Sequence, residues 1–357
     1  MNTSLVNTIS IKNSSRYLVL NTTEKERWNY YVKQSYAYDF YHTYDYHMME
    51  NCGDPFLFVY EQEKLFIAIP LIKREIEASF YFDCTSAYGY TGPLSNIDFS
   101  HITAAVWEDF NAVFVNFLLS EKVVSLFTVL HPLFNQRNFL KEKHCLHIVG
   151  KTVALDLRQS IEEQRAQYRR PIRQKINQLR RNGFEVKLAD TPEQLKEFAS
   201  IYRENMIKVG ASDRYLFDSS YFEDFMNAKD YKTELLLAYY QNQMVAGAMV
   251  VLTGNIMQLH LAGTRNEFLR ESPMKLIFDE ASLLGRARDM HFLHLGSGIG
   301  GKEDSLFHFK RGFSECLFDF ITVRQIINEK IYNKLVQDKL GNNEKPILDL
   351  FPLYRFI

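Results

Sequence analysis

The chain has 357 residues, of which 46% are hydrophobic, and a formal net charge of −1. That length exceeds one ordinary domain and fits two, and the balanced charge confines any nucleic-acid-binding surface to a local patch. Cys52, Cys84, Cys145 and Cys316 form no C-x-x-C pair, which argues against a zinc ribbon or a redox pair and predicts free thiols in a reducing cytosol.

In chain order, residues 28–37 read as a helix. Two apolar strands follow at 56–60 and 65–72, joined by a turn at 61–64. The Gly and Pro content of Tyr88-Gly-Tyr-Thr-Gly-Pro93 predicts a loop, 104–119 a helix and 123–130 a strand. The character of the chain changes at 150–160. Residues 152–157 read as a strand, and 160–181 as one long, densely basic helix. The second half then repeats the order of the first: helix 192–209, hairpin 235–240 and 244–253, strand 256–262, helix 273–289, strand 292–295, helix 304–312 and strand 317–323. Paired halves of this kind predict a duplicated α/β domain, with a largely antiparallel sheet covered by helices. The expected division is 1–155 and 156–340, with 341–357 as a C-terminal tail. Met1–Thr8 has no basic region or long apolar run, so no signal peptide is expected there. No run of 18 apolar residues occurs, and a cytoplasmic location is the expectation.

The most informative stretch is His291-Phe-Leu-His-Leu-Gly-Ser-Gly-Ile-Gly-Gly301 followed by Asp304-Ser-Leu-Phe-His-Phe-Lys-Arg-Gly-Phe313. It reads as a buried strand, a glycine loop and a helix carrying a lysine beside an aromatic ring. Glycines let backbone N–H groups approach a phosphate or an oxyanion. The segment is not read as a dinucleotide fingerprint, nor as a P-loop, because Glu303 follows Lys302.

Leu295-Gly-Ser-Gly, Asp304-Ser-Leu and Phe309-Lys310-x-Gly312-Phe313 resemble the closing signature of the FemAB-like acyltransferases. These are tandem GNAT-fold proteins that include peptidoglycan bridge-forming aminoacyl transferases. The resemblance extends to Tyr215-x-Phe217, Tyr221-Phe222, the 234–247 hairpin, His260–Phe268, Asp39-Phe-Tyr-His42 and Ser86–Pro93. It implies an α/β (α+β) fold of two tandem GNAT-like domains, each a mostly antiparallel mixed sheet flanked by helices. It also implies transfer of an activated acyl group to an amine of a cell-envelope or polysaccharide precursor. The acceptor would be a nucleotide- or lipid-linked sugar or a peptide.

Within that resemblance, Lys310 with Phe309 and Asp304 marks the catalytic end. Lys310 would stabilise the tetrahedral oxyanion or hold a phosphate or ribose of the leaving nucleotide. Gly296, Ser297, Gly298, Gly300 and Gly301 would hold the acyl donor. Tyr88, Tyr90, Arg173, Lys175, Arg181 and Tyr215 would meet substrate, with Arg suited to bidentate phosphate contact. The cluster Arg165, Arg169, Arg170, Arg173, Lys175, Arg180 and Arg181 reads equally as a solvated helix face. Asp304, His308 or the substrate itself could serve as base. Residues 263–273 lack the glycine pattern with which GNAT proteins cradle the diphosphate of acetyl-CoA. The donor is therefore open between aminoacyl-tRNA, with a tRNA contact, and acyl-CoA, and no bound cofactor is expected. His42 with His47, His144 with His147, and His291 with His294 lack metal-site spacing. Two other readings stand beside this one: a non-catalytic binder of an anionic glycan precursor or tRNA end, and a conventional acyl-CoA-dependent N-acetyltransferase.

Overall fold

The computed structural model describes residues 15–50, 52–137, 145–341 and 350–356. The N-terminal octapeptide, His144 and residues 342–349 of the expected tail lie outside them. The chain forms two units, 1–149 with 320–357, and 150–319.

The first unit opens with β1 (Ser15–Leu20), α1 (Lys25–Gln34) and the short α2 (Tyr44–Met48). The predicted hairpin is β2 (Asp54–Gln62) and β3 (Leu65–Glu75), in antiparallel register through Tyr60↔Ile67. β4 (Phe82–Thr85) and β5 (Leu94–Ser95) both pair with β3. α3 (Ala104–Ser120) follows, capped by the Thr103 hydroxyl, and leads to β6 (Val123–Val129), which runs parallel to β4. The buried face of α3 is aromatic because Phe110, Phe114 and Phe117 recur at helical spacing. Phe114 packs on Phe58 of β2, ring centroids 4.9 Å apart.

β7 (Leu146–Asp156) carries the chain into the second unit. The basic segment is not one helix. It is α4 (Ile161–Gln167) and α5 (Arg170–Arg181), parted at Tyr168 and Arg169. Pro171 explains the break. It has no N–H for the Gln167 carbonyl, and its ring would collide with that carbonyl in a continuous helix. It is accepted in the first turn of α5, where the N–H is not needed. β8 (Glu185–Leu188), α6 (Pro192–Lys208) and α7 (Ser219–Asn227) precede the meander β9 (Lys232–Tyr240), β10 (Gln243–Thr253) and β11 (Ile256–Thr264). α8 (Met274–Ala287), β12 (Phe292–Gly296) and α9 (Ser305–Arg311) complete the unit, whose strand order is β7-β12-β11-β10-β9-β8. β9 and β10 are apolar almost throughout because both of their faces are covered.

β13 (Leu317–Ile326) returns the chain to the first unit, where it pairs antiparallel with β6. α10 (Glu329–Leu340) then packs Tyr332, Val336 and Leu340 in a cluster with Val124 and Ile76. The division therefore differs from the one expected at 155 and 340. Residues 320–340 pair and pack with the first unit, and 150–155 lie with the second. Among the described residues no helix is long and apolar enough to cross a membrane.

The basic segment is fastened to α8 chiefly by Asp279, with Glu280 taking a further bond from Arg180 at 2.6 Å. Asp279 is fully buried and receives a bidentate pair from Arg165, at 3.0 and 2.7 Å, and a third bond from Arg180 at 2.7 Å. Replacing it by Ala takes the carboxylate partner from Arg165 over a buried cavity, while Arg180 keeps Glu280. Asp279→Ala is expected to cost about 3 kcal/mol in urea unfolding, near the low end for breaking a buried ion pair because both arginines are partly exposed. Asp279→Asn should lose less, since its amide oxygen still accepts.

Candidate active site

The site begins with a separation of strands. β11 and β12 run parallel and pair through Ile256↔Phe292, Met257↔Leu293 and Gln258↔His294. β11 continues to Thr264, whereas β12 ends at Gly296. Beyond Gln258 the edge of β11 that faces β12 has no ladder partner among the described residues. Such an edge offers backbone groups to an extended ligand. On the opposite edge the register with β10 slips: Leu261 pairs with Met249 and Leu259 with Val250, so His260 is the extra residue of a bulge. Bulges re-aim side chains at such places.

The glycine loop leaves β12 at the mouth of this gap. Two of its approaches admit hydrogen only. A Cβ on Gly298 would lie 2.1 Å from the Lys302 carbonyl oxygen, and a Cβ on Gly150 would lie 1.9 Å from that of Gly301. Asp304 clamps the loop to α9. One of its oxygens accepts from the Ile299 amide at 2.9 Å, and the other caps α9 by accepting from Phe307 at 2.9 Å. Lys310 supplies a second tie, its ammonium donating to the Ser297 carbonyl at 2.7 Å. Gly296, Gly298 and Gly301 do carry the G-x-G-x-x-G spacing. The structure sets them apart from a dinucleotide site. The helix starts only at Ser305 and is seven residues long. The amides of Ile299, Gly301 and Lys302 are spent on Asp304, Gly298 and Ile299. The expected row of outward-facing donors is therefore reduced.

The electrostatics assign distinct roles to the two charged residues. Lys310 is half-buried, and burial pulls its pKa down to about 8, with the Asp304 charge opposing the shift. It is still mainly an ammonium at pH 7. For Asp304, burial works against the charge, but the amides of Phe307, Ile299 and Leu306 together with Lys310 outweigh it and lower the pKa. A carboxylate held by that many N–H groups is a poor base. Asp304 is thus a cap and a clamp. Phe309 packs between Phe278 and Phe313, at 5.5 and 5.7 Å, and orients α9.

The other predicted residues lie elsewhere. Arg173 and Arg181 are exposed on α5, and Lys175 is half-buried there. Arg165 and Arg180 are not available to a ligand in the way the sequence suggested, because Asp279 holds them. Burial, and then the charge of Lys175, lower the pKa of Lys275 at the start of α8. Tyr215 is half-buried in a 3₁₀ turn at Asp213–Tyr215. In the first unit, Tyr88 is exposed and Tyr90 is packed against Tyr41 and Phe320. Their loop is pinned by Tyr46, which donates to the Tyr88 carbonyl, by Gln136, which donates to that of Pro93, and by His42, which binds that of Thr91. Among the described residues no three His, Cys, Asp or Glu side chains converge on a possible metal ion.

Sequence reading passed over a polar line at the strand separation. Tyr221 on α7 lies 3.1 Å from Nε2 of His260 on β11. His260 stacks on Phe225 with centroids 4.4 Å apart and planes 5° from parallel. Next along β11, Gln258 accepts from Nδ1 of His294 at 2.7 Å, and both side chains are buried. The available signal was the polar alternation Gln258, His260 in a strand that otherwise reads as mainly apolar.

Comparison with known proteins agrees with this fold. Residues 166–311 match the acetyltransferase (GNAT) domain family. FemX shares the fold with a TM-score of 0.66 at 14% identity, over 92% of this chain and 99% of its own. A tandem GNAT protein from the clavulanic acid biosynthesis pathway has a TM-score of 0.51 at 10% identity, over 87% and 98%. A conserved protein of unknown function from Bacteroides thetaiotaomicron has a TM-score of 0.55 at 9% identity, over 90% and 100%. No curated protein matches by sequence. The second unit thus contains an acyltransferase domain of the GNAT class. The chain as a whole has the tandem GNAT fold of the FemAB-like acyltransferases.

The depressed pKa of Lys310 has a consequence for stability. Between about pH 8 and the ordinary lysine value near 10.4, the unfolded chain binds a proton that the folded chain does not. The burial penalty on this group is relieved as pH rises through that window, so its contribution to stability rises. Urea midpoints of Lys310→Met measured against wild type from pH 7 to 10.5 should show an upward slope lost in the variant. Parallel curves would mean that Lys310 is solvated like a surface lysine.

Proposed function

We propose that the chain is an N-acyltransferase or aminoacyltransferase that moves an activated acyl group to an amine of a cell-envelope or polysaccharide precursor. The observation that carries this reading is the Lys310 ammonium, held at 2.7 Å from the Ser297 carbonyl where β12 leaves β11. An acyl carbonyl lodged in the gap would develop its negative charge near a fixed cation in a partly dry setting, where such a charge counts for most. Asp304 keeps the loop and the lysine together. Attack is direct in this reading, since Ser297, beside the lysine, spends its hydroxyl on the Gly298 carbonyl at 2.9 Å. In the second unit Arg173, Lys175, Arg181 and Tyr215 are the proposed contacts to a phosphorylated sugar or peptide acceptor or to the donor's phosphates; for the first unit taken by itself, Tyr88 and Tyr90 are the proposed substrate contacts.

An aminoacyl ester of tRNA is the favoured donor over acyl-CoA. Residues 265–273 contain no glycine, and Arg265 and Asn266 are used within the unit. Arg265 donates to the Met244 carbonyl at 2.7 Å and to Glu197 at 2.6 Å, and the Asn266 amide donates to Glu204 at 3.1 Å. Little is left to cradle a diphosphate. Calorimetry should therefore detect charged tRNA and no micromolar affinity for acetyl-CoA. With the donor so found, Lys310→Ala should lower kcat on the order of 100-fold or more, as loss of one oxyanion donor does, with acceptor KM much less affected. Lys310→Arg should recover part, because its fork spreads the charge. Full turnover in Lys310→Ala would remove this reading of the site.

A further inference from the structure

Acyl transfer to an amine has a second requirement that Lys310 cannot meet. The attacking nitrogen must shed a proton. Asp304 is committed to backbone amides, and Lys310 is a donor. Besides the substrate itself and His308, the candidates for that proton's acceptor are the titratable side chains along the gap.

The register of the two strands indicates where. Gln258 and His294 form the last pair, and two residues farther along each strand stand His260 and Gly296. His260 is thus on the β11 side of the gap, while Gly296 opens the loop whose next carbonyl binds Lys310. The bulge at His260 and its stack on Phe225 fix the ring, and the Tyr221 hydroxyl lies 3.1 Å from its Nε2. Tyr221 is itself held by a stack on Phe217, centroids 3.9 Å apart and planes 8° from parallel. Both the tyrosine and the histidine are half-buried.

We propose that Tyr221 and His260 form the proton-accepting pair of this site. The Tyr221 oxygen takes a proton from the acceptor nitrogen as its own proton passes to Nε2 of His260. In the same reaction the C–N bond forms and the acyl C–O bond of an ester, or C–S bond of a thioester, breaks. The proton on His260 then returns through Tyr221 to the departing oxygen or sulfur. Tyr221 touches the substrate, and His260 acts through it. Burial supports the assignment by holding the resting imidazole neutral, with its pKa pushed down to about 3. So weak a base becomes competent only when an oxyanion forms nearby, because that negative charge favours the imidazolium. Proton removal would then follow attack and not precede it.

This inference rests on the acyl-transfer reading, and two measurements keep their failures apart. The first needs no substrate. In histidine-labelled protein, 15N spectra should show His260 neutral from pH 5 to 8 with Nε2 as the acceptor, and Tyr221→Phe should shift that nitrogen. A protonated His260 at pH 7, or no response to Tyr221→Phe, would overturn the pair whatever the enzyme does. The second follows transfer to a primary amine from aminoacyl-tRNA and from acetyl-CoA. Tyr221→Phe and His260→Gln should each lower kcat by roughly 100-fold, within the usual range for a general base, with donor KM and thermal midpoint little changed. Unchanged kcat in both variants, with wild type active, overturns the pair and spares the acyl-transfer reading. A wild type that transfers from neither donor overturns that reading and the catalytic role with it.

Discussion

The parting of β11 from β12 after three paired residues is the constraint on which the second unit's chemistry depends. A fully paired sheet would bury this edge and leave no place for an extended ligand. Two local features accompany the parting. The bulge at His260 lies on the other edge of β11, and β12, whose register with β7 shifts between His294 and Gly296, ends at Gly296 with φ of 77°. The glycine loop then has to be held, because a run of glycines is entropically costly to order. Asp304 and Lys310 hold it from α9, and Gly150 lets β7 come within contact of the Gly301 carbonyl.

Two carboxylates, Asp279 buried and Asp304 half-buried, do different work in the same unit. Asp279 gathers two arginines and ties the basic segment to α8. Asp304 gathers backbone amides and ties a loop to a helix. Neither is free to act as a base. The consequence for the basic segment is specific. Its seven cations are not one anion surface, since Arg165 and Arg180 are turned to Asp279, while Arg173 and Arg181 stay exposed.

The order helix, hairpin, strand, helix, strand in both halves was legible because apolar runs of strand length alternate with apolar stripes at helical spacing. The break at Tyr168 was legible too, through Pro171, and the length of the basic run obscured it. The pairing of Asp279 with arginines more than 95 residues away was not. Nothing local in a sequence says which carboxylate a cation will find. The return of 320–340 to the first unit was hidden for the same reason, because strand partners are chosen by the sheet and not by neighbours in the chain. At the site, the glycines and Lys310 stood out by residue type. Tyr221 and His260 did not, since an isolated histidine in a strand usually serves packing. Their significance comes from the register that sets them at the gap.

The charge states at the gap complement each other. Lys310 on the loop side stays mainly protonated at neutral pH, with a pKa of about 8, and His260 on the β11 side is neutral, with a pKa of about 3. Both shifts come from burial, which disfavours the charged form of each. The same cost acts on two bases of different intrinsic strength, so the lysine keeps its proton and the imidazole does not. The acyl-transfer reading proposed above calls for that order: a cation where the oxyanion forms and a neutral imidazole able to take the proton of the Tyr221 hydroxyl. Were the strand to carry a lysine at 260, the gap would hold two cations and no acceptor. Were α9 to carry a histidine at 310, burial would leave it neutral and the oxyanion without its counter-charge. The choice of residue type at each position follows from the burial that the parted strands impose.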